Sequence, residues 1–428
     1  MMTIRMHMDS KYCDKVLVIG GGIAGLASAY YLAKSGRQVT LIERGDLTDG
    51  CSFGNAGMIV PSHFTPMAAP GIVSQGIKWM FDRKSPFYVK PSLNWSLLTW
   101  GMRFLQHANE KHVLRASPAL KDLHLYSSQL YDQLATELST DFDLQHKGIL
   151  MLYKTGSTEE EEIHLANRAR DMGLDVAVLN KDEVQALEPG VKLDVLGAVH
   201  YKCDGHLYPP ALIQTLISEL KKMGVELQTG VQVEGFDLKA GRIEKTYLSD
   251  GRQIQANQIV LTGGAWMGNL ARKVNLSIPI MPGKGYSFLT DVFEGKVQHP
   301  ALLMEARVAL TPMGGKVRIG GTMELAPIDH QINLNRVEGI VKAVGSYYPE
   351  YNLNMPEKKD IWFGFRPCSP DGLPYLGYSR KVSNLVLAGG LGMMGLSLGP
   401  AIGQSVADLI NGKTLQADIQ IFDPERFN

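Results

Sequence analysis

The stretch between residues 15 and 46 constrains the fold more than any other part of the chain. An apolar run, 15–20, leads into glycines at positions 20, 22 and 25. Apolar residues at helical spacing follow as far as Gly36, and a second apolar run occupies 38–43. A buried strand, a glycine turn, a helix and a second buried strand make a βαβ unit, which predicts a parallel sheet.

Each glycine of this unit has a separate predicted role. Gly20 permits the tight turn out of the strand, Gly22 lets the backbone approach a pyrophosphate, and Gly25 lets the helix pack on the sheet. The helix then begins at Ile23 and Ala24, where free N–H groups favour a phosphate. The unit therefore predicts a dinucleotide site but does not distinguish NAD from FAD.

Glu43 ends the second strand, 18 residues after Gly25. A carboxylate there can accept the ribose hydroxyls of the adenosine and would repel a 2′-phosphate, which argues against NADP. We assign Arg44, the next residue, to the same site.

Length and composition exclude several classes of protein. A chain of 428 residues predicts two closely packed domains. The formal net charge is zero, which gives no electrostatic basis for nucleic-acid binding. Four cysteines without metal spacing favour reduced thiols in the cytoplasm, and we expect no metal site. We see no signal-peptide pattern and no apolar run of membrane-spanning length.

Three further glycine-rich zones, near 51–61, 262–266 and 388–400, distinguish the two cofactors. Several backbone approaches suit a cofactor that stays enclosed, which favours FAD over an NAD that leaves after every turnover. The last zone opens a helix whose N-terminus can stabilise a reduced flavin ring. The predicted cofactor residues are Gly20, Gly22, Ile23, Ala24, Gly25, Glu43, Arg44, Ser52, Asn55, Ala56, Gly57, Val233, Gly263, Trp266, Gly390, Gly392, Met393, Met394, Gly395 and Leu396.

Five further motifs are spread along the chain: Asn55-Ala-Gly-Met-Ile, Pro66-Met-Ala-Ala-Pro-Gly, Ile77-Lys-Trp-Met-Phe, Gly283-Lys-Gly-Tyr-Ser and Arg366-Pro-Cys-Ser-Pro-Asp-Gly-Leu-Pro. Together they resemble one family, the FAD-dependent D-amino acid dehydrogenases (small subunit), within the D-amino acid oxidase, glycine oxidase and sarcosine oxidase superfamily. The resemblance implies a mixed α/β fold, with a glutathione-reductase-type FAD-binding Rossmann domain interleaved with an antiparallel-sheet substrate domain. We assign 14–80, 145–270 and 360–415 to the FAD domain, 81–144 to a helical cap, and 271–359 to the substrate domain.

The resemblance also implies oxidation of a Cα–N bond, with hydride transfer to flavin and hydrolysis of the imino acid to a 2-oxo acid and ammonia. Arg366 suits the substrate carboxylate because a guanidinium binds it in two-point geometry. Tyr286 is a second candidate for that carboxylate, and His63 is a candidate for the substrate side of the flavin loop.

Two departures from the family pattern leave the substrate open. The segment before the last helix reads Gly390-Leu-Gly-Met-Met-Gly-Leu-Ser, without the His and Trp of the dehydrogenases, which predicts a more apolar pocket. The segment Asp204-Gly-His-Leu-Tyr-Pro resembles relatives that act on D-proline or cis-4-hydroxy-D-proline, which makes His206 and Tyr208 candidates. A cyclic imino acid dehydrogenase and an oxygen-using glycine or sarcosine oxidase are therefore the alternatives.

The resemblance bears on two further expectations. Some relatives attach FAD through a cysteine six residues before the aspartate of the last motif; here that position is Phe365, so we expect noncovalent FAD. A quinone or another carrier is the expected electron acceptor. The aromatic and basic segment 77–104 is compatible with peripheral contact at the inner membrane or with a quinone site. A helical cap with core aromatics is the interpretation that we favour for this segment.

Overall fold

The computed structural model describes residues 15–71, 87–89 and 95–428. In chain order the strands are β1 (Lys15–Ile19), β2 (Gln38–Ile42), β3 (Met58–Ile59), β4 (Phe87–Val89), β5 (Ile149–Tyr153), β6 (Val176–Asn180), β7 (Gly197–Tyr201), β8 (Gly205–His206), β9 (Glu226–Gln228), β10 (Val233–Lys239), β11 (Arg242–Leu248), β12 (Gln253–Ile254), β13 (Gln258–Leu261), β14 (Met281–Thr290), β15 (Ala301–Leu303), β16 (Val308–Met313), β17 (Lys316–Leu325), β18 (Trp362–Cys368), β19 (Tyr375–Tyr378) and β20 (Leu385–Gly389). The α-helices are α1 (Ile23–Lys34), α2 (Trp95–His107), α3 (Glu110–Glu137), α4 (Gly156–Asp171), α5 (Lys181–Leu187), α6 (Pro209–Lys222), α7 (Met267–Arg272), α8 (Leu334–Tyr347) and α9 (Gly395–Ile410).

The first sheet has six strands in the order β19-β20-β13-β1-β2-β9 and is parallel except for its edge strand β19. The predicted βαβ unit is confirmed: β1 pairs with β2 in parallel, and α1 connects them. Helices α1 and α9 pack closely, since a Cβ at Gly403 would lie 2.5 Å from the carbonyl carbon of Ala27. Because β1, β2 and β13 are adjacent and parallel, their carboxyl ends meet at one edge of this sheet, where nucleotides bind in such folds.

The second large sheet runs β18-β14-β17-β16-β15-β5-β7-β6, with β4 added beside β17. Most of its pairs are antiparallel, and β15·β5 and β17·β4 are parallel. The strands of this sheet come from ranges that we assigned to different domains. The range 145–270 contributes β5, β6 and β7 to this sheet, and 360–415 contributes β18, because strand pairing joins segments far apart in the chain.

Part of the range 81–144, which we predicted to be a helical cap, packs into the core of the first sheet's domain. Its long helix α3 packs through Leu120, Leu123 and Tyr131 into the core that contains α1 and α9.

Within 15–71, 87–89 and 95–428, no helix combines the length and the apolar character needed to cross a bilayer.

A three-stranded sheet, β10-β11-β12, lies outside the two larger sheets. Hairpin turns connect its strands: Ala240 and Gly241 have φ of 50° and 72°, and Gly251 has φ of 85°. These are the left-handed conformations that tight hairpin turns require.

The first turn of α9 is fixed by a side chain from α3. Pro400 has no N–H, so the carbonyl of Leu396 loses its helical partner. The buried hydroxyl of Tyr131 donates to that carbonyl at 2.6 Å. Tyr131 therefore compensates for the proline inside the helix and holds the glycine turn that precedes it.

We expect Tyr131→Phe to lower the free energy of unfolding by roughly 1–3 kcal/mol, because it leaves a buried carbonyl without a donor. Chemical denaturation followed by circular dichroism measures the loss. Tyr126→Phe is the matched control, since that half-buried tyrosine lies on the same helix. Equal stability of both variants would contradict this role of Tyr131.

Candidate functional site

One continuous cavity of about 1870 Å³ is lined by residues of both large sheets and by the loops that follow β1, β2, β13 and β20. Typical small-molecule sites measure roughly 300–1,000 Å³. The cavity can therefore hold a dinucleotide together with a small substrate.

Each glycine of the first turn is required for a different structural reason. Gly20 has φ of 111°, and a Cβ there would lie 2.6 Å from the carbonyl oxygen of Thr262. A Cβ on Gly25 would lie 1.8 Å from the carbonyl oxygen of Gly20, so Gly25 serves the packing of α1. A Cβ on Gly22 would meet only Ser52 Oγ at 3.6 Å. Gly22 borders the cavity, and its missing side chain leaves room for a ligand rather than for protein atoms.

Polar groups at this turn are arranged around a helix N-terminus. The Ile23 N–H donates to Ser52 Oγ at 2.9 Å. The Glu43 carboxylate accepts from the N–H groups of Gly21 and Gly45 at 2.6 and 2.9 Å. These bonds fix Glu43 at the cavity wall with lone pairs to spare for hydroxyl donors.

The loop after β2 is held from the other sheet, by Arg318 on β17. Its Nη1 donates to the carbonyls of Phe53 and Asn55 at 3.0 and 2.9 Å, and burial lowers its pKa to about 10. Ser287 on β14 donates to the carbonyl of Gly54 at 3.0 Å. Sequence reasoning missed Arg318, because no local signal relates a strand arginine to a loop more than 260 residues earlier.

The last glycine turn is held in a similar way by a buried histidine. His124 on α3 lies 2.9 Å from Ser397 Oγ and 3.2 Å from Met394 Sδ, and burial lowers its pKa to about 3. The N–H of Val60 donates to Ser397 Oγ at 2.9 Å. The neutral ring thus contacts Ser397 in the first turn of α9, and Ser397 in turn holds the loop after β3. The sequence carries no signal for this contact.

Arg366 borders the cavity, and burial lowers its pKa although Cys368 and Cys51 act in the opposite direction. Its Nη1 donates to the carbonyl of Thr322 at 2.8 Å. A Cβ on Gly285 would lie 2.0 Å from the same nitrogen, so the guanidinium lies directly against this glycine. Among the residues described, none with a carboxylate forms an ion pair with Arg366. A desolvated guanidinium with free donors suits the carboxylate of a ligand.

Tyr286 does not join Arg366. On β14, Gly283 lies opposite Arg366 and Tyr286 lies opposite Phe363, and positions three apart in a strand project to opposite faces. Tyr286 is 1% exposed, belongs to the core cluster under α8, and accepts from the N–H of Asn333 at 3.2 Å. Although it borders the cavity, its hydroxyl is engaged away from the carboxylate position predicted for it.

His63 borders the cavity, and its neighbours orient it. Ser62 Oγ donates to Asp204 at 2.5 Å and lies 3.0 Å from His63 Nδ1. Asp204 is fully buried, and desolvation raises the pKa of its carboxyl to about 7 against the effect of the Ser62 hydrogen bonds. Burial lowers the pKa of His63 to about 4, so its ring is neutral near pH 7.

His206 and Tyr208 do not reach the cavity. His206 is 3% exposed in the ribbon that β8 forms with β3, and burial lowers its pKa to about 4. Tyr208 precedes α6 as its N-cap, with its ring against Gly314. Of the motif that suggested them, the residue that bears on the cavity is Asp204, because its carboxylate accepts hydrogen bonds from Ser62.

The cavity brings together most of the predicted cofactor residues. Those that line it are Gly20, Gly22, Ile23, Ala24, Glu43, Arg44, Ser52, Asn55, Ala56, Val233, Gly263, Trp266, Gly392, Met393, Met394, Gly395 and Leu396. Gly25, Gly57 and Gly390 do not line it. Gly57 and Gly390 have φ of 79° and 66°, and side chains there would strike Leu207 and Tyr375, so both glycines shape the backbone. Arg44 stacks on the Trp266 ring, 3.5 Å from its centroid.

Comparison with known proteins identifies the family. The model of the DAO family, described as FAD dependent oxidoreductase, matches residues 15–409. The chain belongs to this family of FAD-dependent oxidoreductases.

Relatives and solved structures agree with this assignment. The chain is 32% identical over 413 residues to a D-amino acid dehydrogenase of Helicobacter pylori, covering 95% of this chain and 98% of the relative. It is 30% identical to one of Methylobacterium radiotolerans, with 93% and 96% covered. Glycine oxidase from Geobacillus kaustophilus has a similar fold, with a TM-score of 0.76, 22% identity, and 96% and 99% covered. L-proline dehydrogenase from P. horikoshii has a TM-score of 0.76, 20% identity and 97% of both chains covered.

The residues at the cavity fit FAD, the cofactor of the family. Two helix N-termini, those of α1 and α9, border one cavity, and neither helix has an acidic residue in its first turn. The open space at Gly22 and the carboxylate of Glu43 complete a dinucleotide site. Within the described residues, no group of three or more His, Cys, Asp or Glu side chains could hold a metal ion.

We expect Arg318→Met to weaken FAD binding by roughly ten- to a hundredfold, because two buried loop carbonyls lose a charged donor. Fluorescence titration of the apoprotein with FAD measures the dissociation constant. Arg242→Met is the matched control: this arginine also donates to a main-chain carbonyl, that of Asn257, and does not line the cavity. An unchanged dissociation constant in Arg318→Met would contradict the role of Arg318.

Proposed function

We propose that the protein oxidises D-amino acids to the 2-oxo acid and ammonia and passes the electrons to a quinone or another carrier. The observation that carries the proposal is Arg366, a desolvated guanidinium in the cavity that has no carboxylate partner among the described residues. The full-length similarity to D-amino acid dehydrogenases supports this substrate class.

Arg366 binds and orients the substrate in this proposal. The Thr322 carbonyl and the backbone of Gly285 fix the guanidinium, which leaves the remaining N–H donors for a carboxylate. Holding the carboxylate at a fixed point directs the Cα–H bond and lowers the entropic part of the barrier. Bound FAD supplies the hydride acceptor.

His63 is the candidate for orienting the substrate amine. Hydride loss from Cα requires the amine lone pair, so the amine must bind deprotonated. The neutral ring of His63 can accept a hydrogen bond from an amine N–H, and its Nδ1 contacts Ser62, which in turn contacts Asp204. Asp204 thereby acts as a positioning residue.

We further propose that FAD is held without a covalent bond. Cys51 is the cysteine that lines the cavity among the described residues. Its thiol donates to the carbonyl of Phe365 at 3.0 Å, and burial raises its pKa to about 11. A protonated thiol is a poor nucleophile.

The surface near α2 supports an apolar electron carrier. Leu98, Met102 and Leu105 border the cavity and are 50%, 53% and 58% exposed. A quinone ring could approach the cavity over these side chains. Much of the segment 77–104, for which we predicted a cap or a peripheral membrane contact, lies outside the described residues.

Anaerobic mixing with a panel of amino acids tests the proposed function. D-amino acids should bleach the flavin absorbance, and their L-enantiomers should not. Reduction by D-proline or cis-4-hydroxy-D-proline alone would indicate the cyclic imino acid alternative instead. Stoichiometric hydrogen peroxide in air would indicate an oxidase, and a flavin that no amine reduces would refute the proposal.

We expect Arg366→Ala to retain FAD and to lower kcat/KM for D-amino acids at least a hundredfold, since the bidentate charge-assisted contact is lost. Arg366→Lys should recover only part of this loss, because an ammonium lacks the planar fork. Steady-state kinetics with an artificial electron acceptor measure both. Arg103→Ala is the control, since Arg103 donates to Phe427 outside the cavity. Near-normal kinetics of Arg366→Ala would remove Arg366 from the site.

A further inference from the structure

A second charged side chain borders the cavity without a partner. Glu162 on α4 is 3% exposed and lines the cavity wall. It has no hydrogen bond or ion pair with any residue in 15–71, 87–89 or 95–428. A buried carboxyl without a donor is costly, and such groups are rare unless a ligand satisfies them.

The surroundings of Glu162 are a mostly apolar wall with a polar end. Met151, Met304 and Leu165 line the same end of the cavity. The phenol of Tyr201 also lines it, and burial together with the charge of Glu162 raises the pKa of that phenol. Thioether and aliphatic side chains suit a flexible methylene chain, and the carboxyl suits its polar terminus.

The large sheet connects this end to the carboxylate site. Val308 on β16 lies opposite Gly321 on β17, and the antiparallel register therefore brings Arg307 beside Thr322. Thr322 is the residue whose carbonyl holds Arg366. In the order β17-β16-β15-β5, the strand that carries Met151 lies three strands from Thr322, roughly 14 Å at about 4.8 Å per strand. An extended linear amino acid bound at Arg366 can span such a distance toward Glu162.

The charges at this end of the cavity favour a ligand group that donates hydrogen bonds over one that accepts them. Glu161 and Glu162 line it, and Arg307 is the cation among the described residues there. Desolvation raises the pKa of Glu162 to about 7, while the charge of Arg307 lowers it and that of Glu161 raises it. Arg307 and Glu161 are both exposed, so solvent screens both charges. An approaching cation therefore meets the buried carboxyl of Glu162 as the main charged group at this end.

We infer that Glu162 forms a side-chain subsite that selects linear D-amino acids ending in an ammonium or guanidinium group. Met151, Met304 and Leu165 contact the methylene stem, and the Glu162 carboxylate accepts from the terminal N–H donors. This inference rests on the proposed function, because it needs the substrate carboxylate at Arg366.

Flavin reduction by D-lysine and D-norleucine tests the subsite, since the two side chains differ in the terminal ammonium. In the wild-type holoenzyme, D-lysine should reduce the flavin at least tenfold more efficiently. Glu162→Gln should lower kcat/KM for D-lysine roughly tenfold and leave D-norleucine within about twofold, because only the charged contact is lost. Glu160→Gln, which changes an exposed carboxylate of the same helix that does not line the cavity, should preserve the preference.

The possible outcomes separate three explanations. A wild-type preference for D-norleucine, or a D-lysine preference that survives Glu162→Gln, overturns the subsite. An equal loss for both substrates in Glu162→Gln means that Glu162 supports the fold, and also overturns it. Reduction by D-norleucine alone would leave the proposed oxidation of D-amino acids standing, whereas a flavin that neither amino acid reduces would refute both proposals.

Discussion

The site depends on the contact between Arg318 and the main-chain carbonyls of Phe53 and Asn55. This contact joins the nine-stranded sheet to the loop that follows the first βαβ unit. Ser287 adds a second bond from the same sheet to the same loop. Because charged donors meet carbonyls that are shielded from water, each bond contributes more than an exposed one would. Without them the loop 53–55 would lose its attachment to β17 and β14.

Much of the dinucleotide half could be predicted from local sequence. Gly20, Gly22, Gly25 and Glu43 lie within one βαβ unit, where strand, turn and helix are adjacent in the chain and the spacing carries the geometry. Arg366 could be selected because motif resemblance identified it and its chemistry suits a carboxylate. The turn at Ala240-Gly241 also has a local signal in the sequence, because tight hairpin turns strongly prefer Gly.

The remaining site residues depend on register and on packing between distant segments. Tyr286 was selected for its chemistry, but strand alternation turns it to the opposite face from Arg366, and only the pairing with β18 reveals this. His206 lies outside the cavity for a related reason, because β8 pairs with β3 and buries the ring. Arg318 and Glu162 lie in ordinary strand and helix patterns. The importance of Arg318 comes from loop carbonyls more than 260 residues earlier, and that of Glu162 comes from the cavity wall that it shares with Met151, Tyr201 and Met304.

The position of β20 in the first sheet has a consequence for biosynthesis. This strand covers the edge of β13, yet it is made from residues 385–389, more than 120 residues after β13. On the ribosome, β1, β2 and β13 are complete while that edge is still bare, and bare edges attract other strands. The helix N-terminus of α9 emerges later still. The complete cofactor site therefore forms only after the segment 385–410 has been made, and the bare sheet edge needs protection until then.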